Sequence, residues 1–432
     1  MAVLRITNAL LLASADRQPC ADAVLQADDG VITYAGPAAG APECPGGAAR
    51  IDAQGMLLMP GLVNAHTHVA MTLFRGAADD MPLKPWLEQR IWPMEGRLEP
   101  ADVYWGTLLG IVEMLRAGIT CYNDMYHFFP EGARAALESG IRALPSGVLL
   151  GFLPNAPALL AEAIEFCVDL AHSGQSRVLP MLGPHAPYTC PDPLLVQVRK
   201  AAGEYGLGIH IHLAETAQEV ADSLRDHGVT PVRHLADLGL LECRVTAAHC
   251  VHLTEEDIAL VAEHQLGCAH CPSSNMKLAS GFAPVPELLA AGAIVGLGTD
   301  GAASNNNLDL LEEARMAALI HKGHRGDPTV VPAPQALHMA TLGGAQALGL
   351  GDRIGSLEVG KRADCILLDL SRPHNRPLFD VCSQLVYASQ ASDVHTVIVD
   401  GEVLLRDRHF TRLDEERIIA EATARAARVA VL

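Results

Sequence analysis

Apolar runs of strand length recur through the middle of the chain, at 58–66, 119–124, 141–149, 178–184, 207–213, 244–249, 266–270 and 293–299. Stretches of helical character separate them. Strands alternating with helices eight times over predict a (β/α)8 TIM-type barrel. The rival arrangement, an open doubly wound sheet, calls for a Gly-rich phosphate fingerprint after its first strand, and the sequence carries none. The flanks have a different rhythm. Before residue 58, short strands alternate with turns, and Asp28-Asp29-Gly30 separates 23–27 from 31–35 as a predicted hairpin. After residue 360 that rhythm returns, with strand-like runs at 363–369 and 394–399 and a hairpin turn at Asp400-Gly401. We expect residues 1–57 and 360–432 to join in one β-sandwich domain, with the barrel, 58–359, inserted between them. The loop-like stretches nearest strand ends are 280–286 and 300–307.

Composition narrows the partners. Half of the 432 residues are hydrophobic, enough for a large core, and only 4% are aromatic. The formal net charge is -19 with no basic run, which excludes nucleic acid and anionic membrane surfaces as natural partners. No run reaches the length of a membrane span. The apolar stretch 9–15 resembles a signal peptide only superficially, being short and lacking a basic cluster before it, so a strand is expected there. Eleven scattered cysteines suit reduced thiols and a cytoplasmic setting rather than a disulfide framework. Cys268 and Cys271 have CxxC spacing, but no second pair completes a structural zinc site. A buried barrel strand is the expected setting for them. A homo-oligomer is also expected.

Candidate chemistry collects where the strands end. The first runs into His66-Thr67-His68, the fourth into Gly183-Pro184-His185, and the fifth carries His210, His212 and then Glu215. The sixth ends at His249 and the eighth at Asp300. Alternate side chains of a strand share a face, so His66 and His68 reach one ion. A single strand-end histidine is more often a structural group. Several strand ends offering His or Asp to one barrel mouth, where such folds build active sites, point to a metal centre. Three neutral imidazoles and one carboxylate suit one divalent ion, Zn2+ first and Fe2+ as the alternative, with a position left for water.

The expected ligands are His66, His68, His212 and Asp300. His210 shares the strand parity of His212 and remains an alternative, while His212 is preferred because it lies nearer the strand end. Glu215 lies beyond the strand, where it overhangs the attacking water without ligating. Its structural reading is an acid favoured by a helix dipole. His249 reads as a hydrogen-bond partner of that water, or as a further ligand. A two-metal centre commonly needs a modified lysine on the fourth strand, and 177–185 has none, so one metal is expected.

The segments Pro60-Gly-Leu-Val-Asn-Ala-His-Thr-His68, His212-Leu-Ala-Glu215, His249 and Gly298-Thr-Asp300 resemble the amidohydrolase superfamily, in its single-metal deaminase and chlorohydrolase branch. They occur in the same order, over essentially the whole chain. The stretches 72–83, 86–95, 183–189, 271–281 and 298–306 are similar to the deaminases of 5'-methylthioadenosine and S-adenosylhomocysteine. The resemblance implies a metal-dependent hydrolase that converts the 6-amino group of an adenine nucleoside to the inosine analogue plus ammonia. It implies that Glu215, His249 and Asp300 are catalytic, and that Glu215 and Asp300 also contact substrate. Glu95 then accepts the ribose hydroxyls, His185 lies near the purine or ribose, and Trp86 walls the thioether end. Read without the resemblance, Glu95 is a surface acid, His185 a loop histidine and Trp86 a core residue.

One departure bears on the substrate. Some members of the family carry an arginine just after the third strand, suited to the carboxylate of S-adenosylhomocysteine. Here 148–157 has none, and Arg142 lies earlier, within the strand. This tilts the expectation toward 5'-methylthioadenosine, ahead of S-adenosylhomocysteine or adenosine. A chlorohydrolase, or a deaminase of guanine, cytosine or a triazine, would use the same metal set, and only the segment of Glu95 favours a nucleoside. A non-catalytic metal-binding scaffold is the reading of a different class. It would be expected to lose Glu215 or His249, and the chain keeps both.

Overall fold

The structure is a computed structural model that describes residues 2–430. Residue 1 and residues 431–432 of the expected β domain lie outside the described residues. Eight parallel strands, Leu62–Thr67, Ile119–Tyr126, Arg142–Leu149, Met181–Pro184, Gly208–Leu213, Val245–His249, Gly267–His270 and Ile294–Leu297, pair in sequence order. Helices cover them, so the fold is the (β/α)8 barrel that the alternating pattern predicts. Every residue of Ile119–Tyr126 is buried, as expected of parallel strands enclosed on both faces. Cys268 lies in the buried strand Gly267–His270.

The expected strand 58–66 is in fact two strands in two sheets. Leu57–Pro60 pairs with Cys365–Leu368 in the flanking sheet, while Leu62–Thr67 opens the barrel. The chain turns between them at Gly61, where a Cβ would lie 2.1 Å from Thr120 Oγ1. Hydrophobicity is the same on both sides of that turn, so the apolar run hides it.

The second sheet is mixed and has nine strands drawn from both ends of the chain. It contains the hairpins expected at Asp28-Asp29-Gly30 and Asp400-Gly401 and a further one at Asp407-Arg408. Strand alternation gives it two buried faces. Leu58, Cys365, Leu367 and Ile398 join Leu4, Ile6, Leu25 and Ile32 in the sheet's own core. Leu57, Met59, Ile366 and Leu368 pack into the core of the barrel. The helix Glu415–Val429 leaves this sheet and lies on the barrel helix Pro100–Arg116, with Arg425 and Arg428 paired to buried Asp102. No helix among the described residues is long and apolar enough to cross a membrane.

Two polar connections position the site. At the base of the barrel, Arg142 is fully buried, with Nε 2.7 Å from Asp364 Oδ2 and Nη2 3.0 Å from Asp364 Oδ1. It opens its strand, at the end away from the mouth, so it ties the barrel to the second sheet and does not face a substrate.

The other connection is the seam between the last and first strands, where the hydrogen-bonded strand order stops. Asn64 Nδ2 donates to Thr299 Oγ1 at 2.7 Å, and Asn64 Oδ1 accepts from the Thr299 N–H at 3.0 Å. The Asp300 N–H donates to the His66 carbonyl at 3.1 Å. Gly298 permits this approach, since a Cβ there would lie 2.9 Å from the Cβ of His66.

Arg142→Met leaves Asp364 buried without its partner and should cost about 3–5 kcal/mol, whereas replacing both residues with apolar ones should recover most of that loss. Urea unfolding measures both. A loss below about 1 kcal/mol, the scale of an exposed pair, would show that the contact does not lock the two sheets.

Candidate metal centre and active site

Residues from the ends of four strands meet at the barrel mouth. His66 Nε2 and His68 Nε2 each lie 3.3 Å from Asp300 Oδ1, and His212 Nε2 lies 3.2 Å from His68 Nε2. The His249 ring stacks on that of His212 at 5.5 Å between centroids. Two sets of donor atoms, His66/His68/Asp300 and His66/His212/His249, each fall within 4.8 Å of one another. All five residues expected around the metal are therefore brought together.

Hydrogen bonds on the far side of each ring decide which nitrogen faces inward. His68 Nδ1 lies 2.7 Å from the Met125 carbonyl, and His212 Nδ1 lies 2.7 Å from the His185 carbonyl. A carbonyl only accepts, so both Nδ1 atoms carry the proton and both Nε2 atoms present lone pairs. His66 reaches the same state through a relay. Ser146 donates to the Asp124 carbonyl at 2.7 Å, so it accepts from His210 Nδ1 at 3.3 Å. His210 Nε2 then accepts from His66 Nδ1 at 2.7 Å. His210 thus stands behind His66, while His212 faces the cluster. His66 Nε2 is buried without a hydrogen-bond partner among the described residues.

Burial holds His66 at a pKa of about 3 and depresses His212 far below the usual imidazole range. Burial also pushes the Asp300 carboxyl up, but His66, His68 and His249 outweigh it and keep that carboxyl well below its ordinary value. Gly301 N–H, Ser274 Oγ and Ser304 Oγ donate to it at 2.8, 2.6 and 2.7 Å. Neutral imidazole lone pairs around an ionised carboxylate, with one nitrogen unsatisfied, fit a divalent cation. His249 and Asp300 both sit at positive φ, 71° and 57°. Such strain is concentrated at functional sites and costs on the order of 1 kcal/mol per residue or more.

Glu215 is buried above this cluster, with Oε2 3.8 Å from His249 Nε2 and Oε1 accepting from Ser280 Oγ at 3.3 Å. Burial raises its pKa. Glu219 holds it in place by accepting the Ala214 and Glu215 N–H groups at 2.9 and 2.8 Å. Glu215 precedes the Thr216 cap and the helix Ala217–His227 rather than lying within that helix.

One pocket is lined by His68, His212, His249, Glu215 and Asp300, and equally by Glu95, His185 and Trp86. The Trp86 indole also donates to the Ala78 carbonyl at 2.9 Å, so the residue is both wall and core. His185 Nδ1 lies 3.0 Å from Thr189 Oγ1. Trp86 and Glu95 come from consecutive short helical segments over 83–95, of which Leu87–Ile91 is a π-turn. Leu83, Trp86 and Leu87 line the pocket at α-helical spacing, and Trp92 follows Leu87 by five residues. Five is the π-turn's hydrogen-bond step, so the bulge keeps the lining face continuous as far as Glu95.

Sequence reasoning missed Tyr126, His127, Trp92 and Tyr188, which also line this pocket. His127 Nε2 lies 3.6 Å from Glu95 Oε2. Tyr126 is the last residue of the second strand, two past its expected end, and His127 follows it. Extending that apolar run through Met125 would have exposed the same strand-end signal that marks the other ligands.

The amidohydrolase family model matches residues 57–404. A 5-methylthioadenosine/S-adenosylhomocysteine deaminase of Moorella thermoacetica is 52% identical over 402 residues, which cover 93% of this chain and 94% of its own. Among solved structures, an adenosine deaminase from Xanthomonas campestris with bound zinc matches with a TM-score of 0.95 at 40% identity, covering 100% of this chain and 99% of its own. The zinc complex of an atrazine chlorohydrolase from Arthrobacter aurescens matches at 0.89 with 26% identity, covering 98% and 100%.

His66→Ala should abolish tightly held metal after dialysis, with the far-ultraviolet circular dichroism unchanged. His210→Asn, which removes only the group behind His66, should weaken metal binding by about 10–100-fold. Stoichiometric metal in dialysed His66→Ala would show that the cluster is not the metal centre.

Proposed function

The chain belongs to the amidohydrolase family, and on that premise we propose that it is a hydrolytic deaminase of adenine nucleosides, yielding the inosine analogue and ammonia. The observation that carries the reading is the shared pocket. It joins the histidine–aspartate cluster and Glu215 to a second carboxylate, Glu95, suited to a vicinal diol. The deaminase at 52% identity and the zinc-bound adenosine deaminase at a TM-score of 0.95 support the same substrate class.

We assign Zn2+ to His66, His68, His212 and Asp300. Such an ion lowers the pKa of water toward neutrality and so supplies hydroxide for attack on a ring carbon. Asp300, held ionised, accepts the proton of the attacking water, and His249 orients that water. Glu215 protonates N1 of the adenine as attack proceeds at C6, takes up the proton of the new C6 hydroxyl and passes it to the departing amine, and the proton held by Asp300 restores Glu215 for the next turnover. Water adds one oxygen and ammonia leaves with the original nitrogen, so atoms balance without a further reactant. Glu95 accepts the ribose hydroxyls, His185 contacts the nucleoside, and Trp86 walls the far end.

The pocket also bears on the choice of nucleoside. Its lining includes no lysine or arginine, and the end of the third strand and the residue just past it contribute Val148 and Leu150. Arg142 is engaged with Asp364 at the base of the barrel. A carboxylate on the 5' substituent finds no cation here, so 5'-methylthioadenosine is the favoured substrate. Chloride displacement from a triazine is the second reading, supported by the likeness to the atrazine chlorohydrolase. It leaves Glu95 without a diol to bind.

Glu215→Gln should retain the metal and lose turnover by about 10²-fold or more, the usual contribution of a positioned acid–base group. A loss of less than about threefold would remove Glu215 from the proton transfers. In a substrate panel followed by the loss of adenine absorbance, kcat/KM for 5'-methylthioadenosine should exceed that for S-adenosylhomocysteine by about tenfold or more, the worth of one charged hydrogen bond. Equal values would show that the 5' carboxylate is bound after all.

A further inference from the structure

A second meeting of imidazoles and a carboxylate lies outside this centre. His227 ends the helix Ala217–His227, His234 lies in Pro231–Asp237, and Asp192 begins Asp192–Tyr205. Their donor atoms all fall within 4.8 Å of one another. Asp192 Oδ1 is 2.9 Å from His234 Nε2, and the two imidazole centroids are 3.9 Å apart. Donors placed tetrahedrally around zinc at its usual bond lengths stand about 3.3–3.5 Å apart. His234 is buried and held by Asp192, while His227 is exposed and turns without disturbing the core.

An ion pair accounts for Asp192 with His234, but not for the second imidazole against the first. Two rings in that position contribute little to stability, whereas two imidazoles and a carboxylate with open positions form a recognised donor set for transition metals. The surroundings favour a cation. The three residues line a cleft of about 540 Å³ together with Glu219, Asp222 and Asp226. Its one guanidinium, Arg225, is paired with Asp222 and Asp226. The chain as a whole carries a net charge of -19, which draws cations to such a cleft.

We propose that Asp192, His227 and His234 form a second divalent-metal site. It takes Zn2+ and other imidazole-preferring ions and does not take Mg2+ or Ca2+. Its place gives it reach. Asp192 follows the loop whose His185 carbonyl orients His212, and His227 ends the helix that begins just after Glu215. An ion there joins two helix ends to the middle of a third helix and stiffens both supports of the primary centre without touching substrate.

The test uses the full chain with its primary centre loaded, titrated with zinc against a chromophoric chelator. A second equivalent should bind, with a rise in thermal midpoint on its addition. His227→Ala and Asp192→Asn should each weaken that equivalent by about tenfold or more, because even groups behind a ligand cost 10–100-fold. Both variants should keep the first equivalent and the basal turnover. Mg2+ should not displace the second ion. A wild-type protein that takes up one equivalent only, or a His227→Ala variant that binds the second with unchanged affinity, would overturn the proposal.

Discussion

The candidate metal centre depends on the closure of the barrel between its last and first strands. His66 and His68 lie at the end of the first strand and Asp300 just past the end of the eighth, yet both histidine Nε2 atoms lie 3.3 Å from one carboxylate oxygen. The seam achieves this with few bonds. Asn64 clasps the backbone and hydroxyl of Thr299, and the Asp300 N–H donates to the His66 carbonyl. Thr67 Oγ1 donates to the Asp300 carbonyl at 2.9 Å. Bonds that close the barrel are therefore made by residues adjacent to the candidate ligands. A buried polar side chain must be satisfied, and here that requirement also sets the spacing of the donors.

Orientation of the imidazoles follows from the same economy of buried hydrogen bonds. Each inward-facing ring has its outer nitrogen committed, to a carbonyl for His68 and His212 and to His210 for His66. The relay from His66 through His210 and Ser146 ends on the Asp124 carbonyl, and its direction follows from that acceptor. Burial keeps His66 and His212 neutral, holding His66 at a pKa of about 3. Three lone pairs and one anion thus face a common point. Glu215 stands over them on backbone held by Glu219. The π-turn at Leu87–Ile91 carries the pocket wall out to Glu95. The carboxylates proposed for acid–base chemistry and for nucleoside recognition come from different segments and meet in one pocket.

Much of this arrangement could be read along the chain. Alternating apolar runs identify eight strands, and His66, His68, His212, His249 and Asp300 stand at strand ends because a barrel displays its chemistry there. Two features were missed. The run 58–66 conceals a turn at Gly61 because both flanking strands are buried in different sheets. Tyr126 and His127 were passed over because Asn123 and Asp124, polar but buried within the strand, read as its end. Trp86 could not be divided between core and wall, and it serves as both.

The sequence by itself determined the fold class, the family and the set of residues able to hold a metal, since periodicity and residue type are local properties of the chain. It preferred His212 to His210 only for lying nearer the strand end, because strand parity aims both inward. Tertiary structure separated them by depth, placing His210 behind His66 and His212 at the mouth. It also assigned Arg142 to Asp364 at the base of the barrel, far in sequence from its partner. Which nitrogen of a ring is free, and which carboxylate meets which guanidinium, depends on groups brought together only when the barrel closes. Those contacts have no signature in the order of residues.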